Sequence, residues 1–106
     1  LAFVLQGGPF LRLCLTWTDS AAGPGLQNVL APVLEHNGLT PPKRFGNQDR
    51  PMPIGKIDRD NNVQIIRLES PPPGNYLLQI FAANLLGAQD WALVVTGAIE
   101  GVPIEV

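Results

Sequence analysis

This chain of 106 residues holds one cysteine, one histidine and two serines, few candidates for a serine or cysteine nucleophile paired with a histidine base. The single cysteine, Cys14, excludes an internal disulfide framework and any cysteine-rich zinc site. It reads instead as a small buried hydrophobe. Apolar runs are short, as at residues 1–5 and 91–95, and none approaches the roughly 18–20 residues needed to span a bilayer. Charge is scarce too. Charged residues make up 15% of the chain, the formal net charge is -2, and neither a basic surface nor an acidic tail stands out. Neither nucleic acid nor membrane is expected as a partner. At this length there is room for one domain and one core.

Serine catalysis needs a hydroxyl, a base and a group that orients the base. Neither Ser20 nor Ser70 sits in a Gly-x-Ser-x-Gly elbow, and both lie beside turns. His36 precedes Asn37-Gly38, a turn signature, and is expected to be an exposed loop histidine. Cys14 falls in mid-strand, with only Arg12 on its face to lower its pKa, and is a poor nucleophile. No catalytic residue is assigned.

What the chain does have is eleven glycines and eleven prolines, spread from end to end, with a hydrophobic fraction of 45%. That punctuation suits many short strands joined by turns. Residues 11–17 alternate strictly: Leu11, Leu13, Leu15 and Trp17 share one face, Arg12, Cys14 and Thr16 the other. A period of two marks a half-buried strand. Residues 2–5 form a shorter apolar strand, and Gly7-Gly8-Pro9 supplies a turn expected to lay the two strands side by side. Residues 19–27, with Gly23-Pro24-Gly25, read as a loop. Residues 29–35 are a third strand in which Pro32, having no amide hydrogen, predicts an edge position or a bulge. Residues 36–60 are polar and turn-rich, with one short strand near Arg44-Phe45. Strands return at 63–68, 75–83 and 91–96, separated by Pro71-Pro72-Pro73-Gly74 and by a turn at 84–89. In residues 75–83, Tyr76, Leu78, Ile80 and Ala82 face one way and Leu77, Gln79 and Phe81 the other, so this strand is expected to be central. Six or seven such strands predict an all-β, antiparallel sandwich, jelly-roll-like.

Two ligand chemistries remain. Asp58-Arg59-Asp60-Asn61-Asn62, with Glu69 eleven residues after Asp58, imitates the spacing of a helix-loop-helix calcium site. Such a loop needs a sharp turn at its sixth position, where this chain has Val63, so a polar turn entering a strand is expected. No cofactor or metal is expected. Trp17, Trp91, Tyr76 and Phe81 could form a sugar platform, but the first three are in phase with apolar strand faces and are expected in the core.

Residues 11–19, Leu-Arg-Leu-Cys-Leu-Thr-Trp-Thr-Asp, resemble the strand ending in Trp-Thr-Asp that opens the C-terminal sandwich of many subtilisin-like serine proteases. Asn61-Asn62-Val63-Gln64 and Leu68-Glu69-Ser70-Pro71 look like that family's Asn-Asn-Val-Glu strand and following turn. Pro73-Gly74-Asn75-Tyr76, Ala83-Asn84-Leu85 and residues 87–97 are similar to its Gly-x-Tyr strand and its closing Gly-Pro-Gln-x-Phe-Ala-Leu-Val-Val-x-Gly segment. Gly46-Asn47 fits a short Gly-Asn segment of the family. Where the family has Asn-Asp-Leu-Asp-Leu, this chain has Asn28-Val29-Leu30-Ala31-Pro32, which removes two carboxylates and any calcium ligation resting on them. The resemblance implies a secreted, non-catalytic domain attached after the protease domain, docking on it, stabilising it or helping to position substrate. The chain opens at Leu1 in mid-pattern and is expected to be a piece of that larger protein. The rival readings are a carbohydrate- or surface-binding module and a structural spacer.

Overall fold

A computed structural model describes residues 1–19, 28–48, 57–84 and 89–104, with backbone alone at 83 and 84. The loop around Gly23-Pro24-Gly25 and most of the turn at 84–89 lie outside the described residues. Eight strands follow in order: β1 (Ala2–Leu5), β2 (Phe10–Trp17), β3 (Val29–Glu35), β4 (Lys43–Phe45), β5 (Val63–Glu69), β6 (Gly74–Asn84), β7 (Trp91–Gly97) and β8 (Ile99–Ile104). They build two antiparallel sheets, β4-β3-β6-β1-β8 and β5-β2-β7, packed as a β-sandwich. β1 pairs with β8, β2 with β7 and β3 with β6, the nested pairing of a rolled-up antiparallel ribbon.

β2 is the middle strand of the smaller sheet, and its alternation is what the core requires. Leu11, Leu13 and Leu15 are fully buried, while Arg12 on the other face is exposed. β6 is the middle strand of the larger sheet and sends Tyr76 and Leu78 inward. Together with Phe3, Leu5, Leu34, Leu39, Ile66 and Leu68 these residues make the main core. A smaller cluster of Leu15, Trp17 and Leu30, flanked by the partly buried Ile80 and Leu93, fills the other end.

Three expectations need correction. β1 and β2 are not side by side: β1 pairs with β6 and β8, β2 with β5 and β7. Gly7 and Gly8 both have φ near +98°, which side chains rarely adopt, and there the chain crosses to the other sheet instead of folding back as a hairpin. β3 is not an edge strand, because β4 and β6 flank it. However, β4 covers only Val33, Leu34 and Glu35, so Pro32 needs no donor on that side, and a register shift does fall between Val29 and Leu30. β8 was not expected at all. Gly101 and Pro103 interrupt it within six residues, and Val102 and Ile104 are exposed, so it carries no burial alternation to read.

Of residues 36–60, 49–56 lie outside the described residues, and the others include the short strand β4 and a polar clamp between the sheets. Asn47 adopts a left-handed φ of 61° and imitates a strand partner of β5: its N–H donates to Ile65 O at 2.7 Å, and its Oδ1 accepts from Ile65 N–H at 3.0 Å. Its Nδ2 donates to Asp58 Oδ2 at 2.7 Å and to Val63 O at 3.0 Å. Gln64 is fully buried beneath it, donating to Asp58 O and Asn61 O. A Cβ on Gly46 would overlap Gln64 Oε1, so only glycine fits there.

Candidate docking site

Among the described residues, no contact joins Cys14 or Ser70 to His36. His36 is half-buried and pinned, not a free loop side chain. Gly38 N–H donates to its Nδ1 at 2.8 Å, which leaves the ring proton on Nε2, 3.2 Å from Pro73 O. Its ring lies on Tyr76 with centroids 4.2 Å apart. Cys14 is half-buried on the outer face of β2, so it is not the interior hydrophobe its composition suggested. Ser70 has a φ of 46° and donates its backbone N–H to Pro9 O, while Ser20 lies outside the described residues.

Asp58 is buried, and its carboxylate is already saturated by N–H donors. Oδ2 accepts from Asn47 Nδ2 and Asn61 Nδ2, both at 2.7 Å, and Oδ1 accepts from Asp60 N–H at 2.9 Å. Burial alone would raise its pKa, but these hydrogen bonds outweigh it and hold the group below its ordinary value of 3.8. Asn62 turns its amide onto Trp17 O. Glu69 lies at the far end of β5, about 20 Å along the strand from Val63. A hard cation needs about six to eight oxygens directed at one point. These oxygens face amide protons or stand apart. The melting temperature is therefore expected to be the same in millimolar calcium and in chelator. A site filled at a hundred times its Kd would add about 2.7 kcal/mol, a shift of roughly 10 °C or more. A rise of that size, lost in Asp60→Asn, would show that a site had been missed.

The aromatic residues divide in an unexpected way. Trp17 is buried and donates Nε1–H to Asn28 O at 3.2 Å, and Tyr76 is buried. Trp91 is 49% exposed, against the expectation that it belongs to the core. Its phase was read correctly: Trp91 lies directly opposite Trp17 across β2 and β7, so the two share the inward face. The cover is what is missing. β7 is one of the two edge strands of the three-stranded sheet, and its first residue is left half in solvent.

A cleft of about 630 Å³ opens there, lined by Leu1, Leu78, Gln79, Ile80, Phe81, Trp91 and Leu93. Its volume falls in the range of about 300–1,000 Å³ typical of binding sites. Phe81, 48% exposed, stands on the outer face of β6 at its rim. Trp91 also lines a second depression of about 310 Å³, with Thr16, Trp17, Thr18, Asp90 and Ala92. Large, half-exposed aromatics beside an apolar cleft mark an interaction surface more often than a plain exterior. The residue pattern could not show this, since it gives the direction of a side chain and not what lies over it.

Compared with known proteins, the chain matches no family model and no curated protein.

Proposed function

We propose that this is a non-catalytic β-sandwich domain of a larger secreted protein, the C-terminal accessory domain of a subtilisin-like serine endopeptidase. It docks on the catalytic domain through the cleft at Trp91 and Phe81, and so stabilises that domain or helps position its substrate. The family comes from the resemblance in residues 11–97. The observation that carries docking is the cleft itself, an opening into the smaller core cluster rimmed by two half-exposed aromatic rings. Desolvated aromatics at the centre of an interface supply much of its binding energy.

The test has two parts. The parent's sequence ahead of Leu1 should contain a nucleophile motif of the Gly-Thr-Ser-x-Ala type. The catalytic domain encoded there should bind this domain, and Trp91→Asp should weaken binding at least about 30-fold, the effect of losing a hot spot worth about 2 kcal/mol. The same variant should shift the urea midpoint only slightly, because half of the indole is already in water. A large loss of stability with unchanged binding would return Trp91 to the core and remove the docking site.

The exposure of Trp91 also favours a second reading, a carbohydrate- or surface-binding module, since sugar rings stack on aromatic faces. Saturable quenching of Trp91 fluorescence by a soluble oligosaccharide, with no affinity for the catalytic domain, would select it.

A further inference from the structure

β5 is the edge strand of the smaller sheet on the side away from β7. Its free edge is held by Asn47, which exchanges two hydrogen bonds with the backbone of Ile65. The N–H and C=O of Ile65 therefore point away from β2, and Cys14 and Ile65 are a non-hydrogen-bonded pair of the ladder. Backbone groups alternate sides along a strand, so those of Arg67 point to the free edge as well. Arg12 and Arg67 are then a non-hydrogen-bonded pair too, the kind that brings facing side chains closest. No described residue accepts from the Arg67 N–H.

A hollow of about 180 Å³ lies beside this edge, lined by Arg44, Phe45 and Gln48 and by Ile65, Ile66 and Arg67 of β5. Side chains of consecutive strand residues project to opposite faces, so a hollow touching three in a row runs along the edge. Arg67 borders it with both its main chain and its side chain. The Arg44 guanidinium is fixed in place, its Nε donating to Pro41 O at 3.1 Å and its Nη2 to Thr40 O at 3.0 Å. Its Nη1 is uncommitted. Among the described residues no carboxylate pairs with Arg12, Arg44 or Arg67. Glu69, the one acid of β5, stands about 7 Å along the strand from Arg67 and pairs with none of the three. Like charges directly opposite one another destabilise a sheet. Against that, the Arg12 guanidinium has only the Phe10 ring, 5.9 Å away.

We propose that this hollow is a binding site for a tetrahedral oxyanion, sulfate or phosphate, held by the guanidinium groups of Arg44 and Arg67 and by the Arg67 main-chain N–H. These three donor groups border the hollow, and no acid among the described residues competes for them. A tetrahedral oxyanion offers oxygens in several directions at once, whereas a carboxylate has two in one plane. Hydrogen bonds from arginine to such an anion are of the strong, charge-assisted kind. The volume lies below the roughly 300–1,000 Å³ of sites for whole small molecules, so it fits one such group. Bound there, the anion offsets the charge of the facing pair Arg12 and Arg67 and supplies the acceptor that the Arg67 N–H lacks. β5 and β7 are opposite edges of their sheet, so the site stands apart from the cleft at Trp91 and does not depend on the docking reading.

Amide NMR of the whole chain, titrated with sodium sulfate against sodium chloride of equal ionic strength, tests this. Resonances are the readout because sulfate stabilises folded proteins in general. Before sulfate is added, the Arg67 amide should exchange at least about tenfold faster than those of Ile66 and Leu68, which bond to β2. Sulfate should then shift the Arg67 amide along a saturable curve, and the amides of Phe45 and Ile66 with it. Arg67→Gln, at an exposed side chain that bonds nothing in the fold, should weaken binding at least about tenfold, read at Phe45 and Ile66. Arg59→Gln removes the same charge from an exposed position outside the hollow and should change the affinity by less than about twofold. Acetate should bind at least about tenfold more weakly than sulfate. A parallel titration with phosphate shows which of the two anions the site prefers. Four results overturn the site: an Arg67 amide as slow as Ile66 and Leu68, shifts no larger than those with chloride, equal weakening by Arg59→Gln and Arg67→Gln, or acetate held as tightly as sulfate.

Discussion

Replacing Tyr76 by alanine is expected to destabilise the domain by about 3–5 kcal/mol, a large share of the roughly 5–15 kcal/mol that holds a domain of this size. Tyr76 joins three parts of the fold. Its ring stacks on Phe3 of β1, with centroids 5.6 Å apart and planes 10° from parallel, and on its other flank meets His36 at 4.2 Å. Its hydroxyl donates to Pro72 O at 2.6 Å, in the turn before β6. Truncation removes the packing of β1 and of the β3–β4 turn together, and the surrounding strands can collapse only partly into the space. Tyr76→Phe keeps the ring and loses one hydrogen bond, at about 0.5–1.5 kcal/mol. Urea unfolding of the three proteins measures both steps. An alanine variant as stable as the phenylalanine variant would mean that the ring is not what holds these parts together. Burial also raises the phenol's pKa above its ordinary 10.0. Its neutral form is thus favoured in the folded state, so that contribution is whole below about pH 10 and declines as the pH rises past it. Tyr76→Phe should remove that alkaline decline.

The strands were legible where burial and periodicity agree. β2 alternates because it is a middle strand with one face inside, and Leu11, Leu13, Leu15 and Trp17 could be assigned to the core from spacing alone. β6 announced its central place by carrying apolar residues on both faces. Which strands neighbour one another could not be read in the same way. Gly7-Gly8 suits a hairpin and a crossing between sheets equally, and only the packing of Phe3 and Leu5 against Leu11 and Leu13 decides for the crossing. The candidate site was legible only in part. Trp91, Phe81 and Ile80 all stand in their strands where the alternation puts them. That they border a cleft could not be read, because strand phase gives the direction of a side chain and not what lies over it. Gly46-Asn47 carried no visible weight as a dipeptide. Its role comes from β5, eighteen residues further on, whose Ile65 it grips as a strand would.

Asp58→Ala should cost about 1–3 kcal/mol, because it removes an acceptor from the buried Asn47 amide, while the donors of the exposed Asn61 and Asp60 can turn to water. The loss falls at the clamp between the sheets: Asn47 and Asn61 both lose their bond to Oδ2, and only Asn47 retains a second partner, Val63 O. Asp58→Asn is the finer probe. The amide can keep its oxygen toward Asn47 and Asn61, but its NH2 group then faces the Asp60 N–H, so one bond becomes an opposition of two donors. A penalty of about 1–3 kcal/mol at neutral pH is expected. The sign of the pH dependence follows from the lowered pKa. A carboxyl group whose folded pKa lies below its unfolded value stabilises the fold fully above the unfolded value, near 3.8. That stabilisation is lost as the pH falls through the folded value, because the unfolded chain then binds the proton more readily. The gap between wild type and Asp58→Asn should therefore be constant from about pH 6 to pH 5 and narrow as the pH falls below the unfolded value near 3.8. Thermal unfolding across that range, in matched buffers, gives the curve. A gap that stays constant down to pH 2 would mean that the charge on Asp58 contributes nothing. In that case Asn47, Gln64 and the β5 backbone would hold the clamp without it.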